Sequence, residues 1–391
     1  MRRMNRAHTF VALAISVSLL SLASECRGGE QAAPTSAAAQ PRKTAKVGVI
    51  LGLTGKYSQY GKRMKVGYDL ALEALKEKNW QYTIDLLVED SKFDPATAVR
   101  AYQQLRNARG VTLYAGITGS KNAVAVCAAS TGDHVLILDP LSSAPSLTEK
   151  CGPNYFRIMP SDALAGKYDV EWARERGLKK LAIVHVLDDW GDSYSEQISR
   201  FLKTKGITPV LVEGVNPGER DYSAVVAKIQ EADPDGLFLL LYGSDAAGFM
   251  QQLRTKNRKV QVFGSDNLST DEFLAAGPEV VEGTLIVLPA PVQGPAYESL
   301  KRAYDARYGK NPPEGVEFDV NVTKSYDALM LMAQAIETVG PHPSEVRKYL
   351  VQLKDYPSVS GPISFDEKGD LESVQYERFE FRDGKRVPLS R

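Results

Sequence analysis

The 391 residues include only 3 cysteines, 4 histidines and 3 tryptophans, and 48 basic side chains are matched by 48 acidic ones. Beyond the N-terminal region the histidines are His134, His185 and His342, scattered over segments that make no metal-ligand spacing. His185 falls inside a strand-like run and reads as a core residue. There is no Gly-x-Ser-x-Gly elbow, no Walker loop, and no Gly-x-Gly-x-x-Gly after the first strand, where Gly52-Leu-Thr-Gly55 has the wrong spacing for a pyrophosphate turn. No nucleophile with a paired base is visible. These absences argue against a hydrolase, a nucleotide enzyme, a metalloprotein or any cofactor chemistry.

The longest apolar run, Phe10 to Leu20, is too short to span a bilayer. It follows Arg2, Arg3 and Arg6 and gives way to small residues around Ser21 to Ser24, the layout of a signal peptide over residues 1–23. Cleavage after Ala23 removes three arginines and no acids, taking the net charge from 0 to −3. A mildly acidic exported chain argues against nucleic acid as a partner. Cys26 stands where a lipid can be attached after export, although the residue before it is Glu25 and not a small one. Residues 24–44, rich in Ala, Pro, Thr, Ser and Gln, read as a flexible tether that suits either a periplasmic or a membrane-anchored product. Export permits disulfides, and Cys127 with Cys151 are the one remaining pair: a bridge, or two small buried side chains.

From Lys46 onward short β-rich runs alternate with helix-period segments, the pattern of an α/β fold with parallel sheets covered on both faces. Val47 to Leu53 reads as a strand, and Val66, Leu70 and Ala74 recur at helical spacing after it. Strands are expected at Tyr82–Val88, Val111–Ala115 and Val135–Leu138, with helices at Pro95–Arg109 and Asn122–Ala129. A second series starts with a helix capped by Ser161 and the buried strand Leu181–Val186, then strands at Val210–Val212, Leu237–Leu241 and Gln261–Phe263. Pro289 and Pro291 interrupt a run from Leu285 to Val292 and mark a crossing. Helices at Ala296–Tyr308, Val320–Val339 and Ser344–Val351 follow, then a terminal hairpin around Asp366–Asp370. The expectation is two doubly wound, Rossmann-like lobes, one from residues 45–160 plus 290–361 and the other from 161–289 plus 362–391.

Hydroxyl, glycine and aromatic residues gather where these strands end, the place at which open α/β sheets bind ligands. Thr118-Gly-Ser-Lys-Asn122 would aim backbone N–H groups at an anion, or simply cap a helix. Leu141-Ser-Ser-Ala144 follows another strand in the same way. Tyr57, Tyr60 and Trp190 sit at equivalent edges, and Tyr242 is either an edge residue or core. Asp266 could meet a cationic group or serve as an exposed cap.

In Leu53-Thr-Gly-Lys-Tyr-Ser-Gln-Tyr-Gly61, Pro140-Leu-Ser-Ser-Ala-Pro-Ser-Leu-Thr148, Tyr155-Phe-Arg157, Tyr326-Asp-Ala328 and Gly361 to Leu371, the sequence resembles the periplasmic binding proteins of the branched-chain amino acid type. The resemblance runs from Lys46 to the end of the chain. It implies a type I periplasmic binding fold: two lobes joined by three strands, a ligand trapped between them, and a permease of an ABC importer that recognises the closed form. It implies that Ser120, Ser142 and Ser143 hold an amino acid's carboxylate and ammonium, that Tyr60 walls the side chain, that Trp190 replaces a tyrosine of many relatives, and that Asp266 receives the ammonium. Asp245-Ala246 stands where relatives often carry an aromatic pair, which makes Asp245 a candidate for a more polar pocket. A sensory module of the same fold, or a binder of a non-amino-acid carboxylate or amide, is the alternative. The export signal without a following transmembrane segment favours transport.

Overall fold

Val47, Val49 and Leu51 are fully buried on one side of a strand and Ile50 on the other, so this segment can sit only inside a sheet covered on both faces. The computed structural model describes residues 42–256, 259–290, 292–309 and 311–389; the expected signal peptide and Cys26 lie outside the described residues. The first sheet comprises β1 (Lys43–Leu51), β2 (Tyr82–Asp90), β3 (Leu113–Ile117), β4 (Leu136–Asp139) and β5 (Tyr155–Arg157). Their order is β2-β1-β3-β4-β5, all parallel. The tether is shorter than expected, because Lys43 and Thr44 already pair with Tyr82 and Thr83.

The second sheet contains β6 (Leu181–Val186), β7 (Leu211–Val215), β8 (Gly236–Leu240), β9 (Gln261–Gly264), β10 (Leu285–Pro289), β11 (Tyr376–Arg382) and β12 (Lys385–Pro388). Its order, β12-β11-β10-β9-β8-β6-β7, repeats the winding of the first sheet and adds an antiparallel pair at one edge. That pair is the true terminal hairpin, turned by Asp383-Gly384 with both residues at positive φ. The Asp366–Asp370 segment is instead a turn closing an isolated bridge between Phe365 and Leu371.

Between β5 and the helix Asp162–Glu175, between β10 and the helix Pro295–Tyr308, and after Leu371, the chain passes from one sheet to the other. The helices Val320–Val339 and Pro343–Gln352 return to the first sheet, where Leu329, Met332, Ile336 and Leu350 pack with Val47, Val49 and Leu51. Ile363 and Phe365 belong to that same core, so the third crossing falls beyond residue 361. Each such fully buried aliphatic side chain contributes about 1.5–3 kcal/mol. Cys127, on the helix Ser120–Ala129, is bridged to Cys151 with the Cα atoms 5.0 Å apart, fastening the helix after β3 to the segment before β5.

Candidate functional site

The carboxyl ends of β1, β3 and β4 face those of β6, β8 and β9 across a cleft, and a cavity of about 540 Å³ lies between them. Tyr60, Phe93, Gly119, Ser120, Leu141 and Ser143 line it from the first sheet; Trp190, Tyr242, Asp266 and Asn267 line it from the second. Met159, Leu288 and Pro289, at or beside the crossings, complete the wall.

The aromatic residues touch across the cleft. Tyr242 stacks on Trp190 with ring centres 5.3 Å apart, and meets Tyr57 at 4.8 Å and Phe93 edge-on at 5.5 Å. The backbone at Phe93 is left-handed, φ 57°, a conformation that a bulky residue holds only when its surroundings enforce it. Gly119, also at positive φ, makes room for that ring: a Cβ there would lie 2.8 Å from it. Asp188 caps the helix Asp189–Thr204 through the N–H groups of Trp190 and Gly191, and accepts the Tyr242 hydroxyl at 2.7 Å. The cap thereby sets both rings of the second-sheet wall.

Two carboxyl groups lie together on the polar side. Asp266 lines the cavity, while Asp162, behind the wall, accepts the Ser143 hydroxyl at 2.7 Å and the Trp190 indole N–H at 2.6 Å. Burial and the neighbouring Asp266 charge push the Asp162 carboxyl up to about 7, against the pull of its two hydrogen bonds and of Arg157. Burial pushes Asp266 up to about 6, opposed by backbone N–H groups and Ser265. A cation entering here finds two carboxyls that each gain by ionising. On the other side Ser120 stands at the N-terminus of its helix and accepts the Ala144 N–H at 3.1 Å, which ties the two serine loops together and leaves the hydroxyl proton free.

The structure therefore places Tyr60, Ser120, Ser143, Trp190 and Asp266 around one cavity, with Tyr242 beside them. Ser142 and Asp245 are not on its wall. The N–H of Ser142 is held by Asp139, and its side chain is buried off the cavity wall. Asp245 lies in the first turn of the helix Gly243–Lys256 and accepts Lys56, the Tyr57 hydroxyl and the Gly218 N–H, so it clasps the rim and does not enlarge the polar pocket. Asp162 and Phe93 escaped notice in the sequence. Asp162 had one available signal: an acid directly after the Ser161 cap, in a helix that opens just past β5.

Farther along the cavity Arg63, almost wholly buried, lies 2.8 Å from Glu272, 2.7 Å from Glu317 and 3.4 Å from Asp319. Burial pushes Asp319 up to about 6 even with Arg63 opposing it. Glu272 follows β9 and Arg63 belongs to the helix after β1, so this pair also joins the two halves.

Two similarly wound sheets with a ligand-sized cavity at their facing carboxyl edges define a receptor that holds a small solute between two lobes. A family model for periplasmic binding proteins matches residues 44–374, and the chain belongs to that family. Leu/Ile/Val-binding protein homolog 3 of Brucella melitensis is 27% identical over 349 residues, 88% of this chain and 93% of that protein. The leucine-, isoleucine-, valine-, threonine- and alanine-binding protein of Pseudomonas aeruginosa is 25% identical over 351 residues, 88% of this chain and 92% of that protein. In fold the chain is similar to the leucine-binding protein LivK of Thermotoga maritima, with a TM-score of 0.78, 21% identity, and coverage of 88% of this chain and 98% of that one. It is equally similar to an ABC-transporter solute-binding protein of R. palustris in complex with benzoate, with a TM-score of 0.78, 21% identity, and coverage of 88% and 95%.

Proposed function

We propose that this protein binds a small amino acid in the cleft and delivers it, unaltered, to the permease of an ABC importer. The observation that carries the reading is the meeting of Asp266 and Asp162 with the Ser120 and Ser143 loops on one cavity. Asp266 receives the ammonium. Asp162 adds its charge from behind and orients Ser143 and Trp190. The Ser120 hydroxyl and the first N–H groups of its helix take the carboxylate, aided by the helix dipole. Tyr60, Phe93, Trp190 and Tyr242 wall the side chain. Ligand contacts reach both lobes, so binding favours their closed arrangement. The chain acts as an exported monomer without catalytic activity, residues 1–23 directing export and Cys26 offering a point of lipid attachment.

A second reading has one observation behind it: the rings of Tyr60, Phe93, Trp190 and Tyr242 border the cavity beside the serine loops, and a structural neighbour holds benzoate. An aromatic carboxylate would use the rings and the serine loops but leave Asp266 without a partner. Native mass spectrometry of the protein as purified, followed by calorimetric titration with amino acids and benzoates, separates the two. Tight binding of benzoates with no amino acid bound would overturn the first reading, and recovery of a chemically changed ligand would overturn the claim that the protein is not an enzyme.

A further inference from the structure

Arg157 ends β5, is fully buried and lies off the cavity wall, yet each nitrogen of its guanidinium is engaged beside the serine loop. Nη1 donates to the Ala144 carbonyl at 2.7 Å, Nη2 to the Thr148 hydroxyl at 2.7 Å, and Nε to the Asp370 carboxylate. The Thr148 hydroxyl in turn donates to the other Asp370 oxygen at 2.7 Å, which closes a ring of bonds. The Arg157 backbone joins the same turn, its N–H donating to the Gly369 carbonyl at 2.9 Å. That approach needs the glycine, because a Cβ at Gly369 would lie 2.2 Å from the Tyr155 carbonyl oxygen. The runs Tyr155–Arg157, Pro140–Thr148 and Gly361–Leu371 therefore meet at one guanidinium.

The loop is held on either side of Ser143. Before it, Asp139 at the end of β4 accepts the N–H groups of Leu141 and Ser142. After it, the Ala144 N–H goes to Ser120 Oγ, and the Ala144 carbonyl accepts Arg157 together with the Leu147 N–H at 3.2 Å. Arg157 thus anchors the far end of the loop with a charged donor in a rigid planar fork, a geometry that lysine does not reproduce. The anchor also stands at the roots of two crossings, since the chain leaves the first sheet just after Arg157 and again beyond Leu371. We propose that Arg157 is a positioning residue for the ligand: by holding Ala144 it sets where Ser143 and Ser120 stand in the cleft. This rests on the reading given above, in which the serine loops serve the ligand's carboxylate.

The test pairs hydrogen exchange with calorimetric titration of the full-length mature protein, wild type and Arg157→Lys. Lysine keeps the positive charge that favours ionised Asp162, so a loss reports the geometry of the fork. In the ligand-free variant the amides of residues 141–146 should exchange about tenfold faster, while those of β1 and β6 keep their rates. L-alanine, L-leucine and benzoate are the probes, since each carries a carboxylate. Whichever of them the wild type binds should bind the variant about tenfold more weakly, the effect of one misplaced hydrogen bond to a charged group. On a Ser143→Ala background the same substitution should cost about threefold or less, because a group that it positions is gone. Loop amides indifferent to the substitution, exchange raised equally in β1, or equal affinity losses on both backgrounds would each overturn the proposal. Faster loop exchange with none of the three probes bound by the wild type would keep the anchor and remove the carboxylate reading of the cleft. Should Arg157→Lys fail to fold, Thr148→Val removes the Nη2 acceptor without stranding a buried charge, and the same two measurements decide.

Discussion

Lys56 Nζ lies 2.5 Å from Asp245 Oδ1, an ion pair made across the cleft between the loop after β1 and the helix after β8. The two ends differ: Lys56 is 46% exposed at its side chain and Asp245 only 2%. Asp245 also accepts the Tyr57 hydroxyl at 2.6 Å and the Gly218 N–H at 2.9 Å. Asp245→Ala should therefore cost the closed form about 1–3 kcal/mol for each donor it strands, the Tyr57 hydroxyl and the Gly218 N–H. Lys56→Ala should cost less, because the buried carboxylate keeps both of those hydrogen bonds. Titration calorimetry reads both as lost ligand affinity, and scattering should find the Asp245→Ala protein more open with ligand present. Equal effects of the two substitutions would show that Asp245 is not the anchor.

The winding is legible because parallel strands buried on both faces give unbroken apolar runs, as in Leu181–Val186, and because helices keep their own period, as in Val320–Val339; both have the expected bounds. The site loops were legible because they follow those strands. What escaped was set by pairings distant in sequence. The sequence points Asp245 at the pocket because nothing local reveals Lys56, Tyr57 and Gly218 converging on it. Asp162 is silent in the sequence because its partners, Ser143 and Trp190, lie in two different loops. The terminal hairpin was displaced to Asp366–Asp370, a turn-rich run, although Asp383-Gly384 carries the stronger hairpin dipeptide.

The raised carboxyls make a pH signature. With Asp162 at about 7 and Asp266 at about 6, the folded protein holds protons that an unfolded chain releases near pH 4. Their contribution to the stability of the ligand-free protein is full below that value and is lost as pH rises through 6 and 7. An ammonium ligand needs the ionised forms, so its affinity should move the opposite way and increase between about pH 5 and pH 8, with protons released on binding. Titration in buffers of different ionisation enthalpy measures that release. Asp162→Asn should flatten the upper part of the profile, and an affinity that falls over this range would exclude an ammonium next to these groups.

Cys127 and Cys151 are 24 residues apart in the chain, and the bridge ties the helix that presents Ser120 to the segment leading into β5. On the loop-entropy account, closing a loop of this length stabilises the fold by about 3–4 kcal/mol. Reduction, or the Cys127→Ser, Cys151→Ser pair of substitutions, should lower the unfolding temperature accordingly while ligand binding persists below the new transition. An unfolding temperature indifferent to reductant would show that the bridge adds nothing to stability.

Asp162, Ser143 and Asp266 make separable contributions to the ligand, and their substitutions should rank accordingly. Asp266 lines the cavity, so Asp266→Asn removes the counter-charge of a buried ammonium while its desolvation cost remains, and should produce the largest loss for any α-amino acid. Asp162 lies behind the wall, and Ser143 and Trp190 both donate to its Oδ2, so Asp162→Asn loses the charge but keeps an oxygen able to accept from both, and its loss should be smaller. Ser143→Ala deletes one hydrogen bond to a charged group, worth about 1.5–3 kcal/mol, and raises the Asp162 carboxyl further by taking away a bond that favours its ionised form. The Ser143→Ala loss should therefore be greater at pH 6 than at pH 8, where Asp162 ionises without help. Titrations of the three variants at both pH values test the ranking. A Ser143→Ala deficit of equal size at pH 6 and pH 8 would mean that Ser143 acts on the ligand directly and not through Asp162.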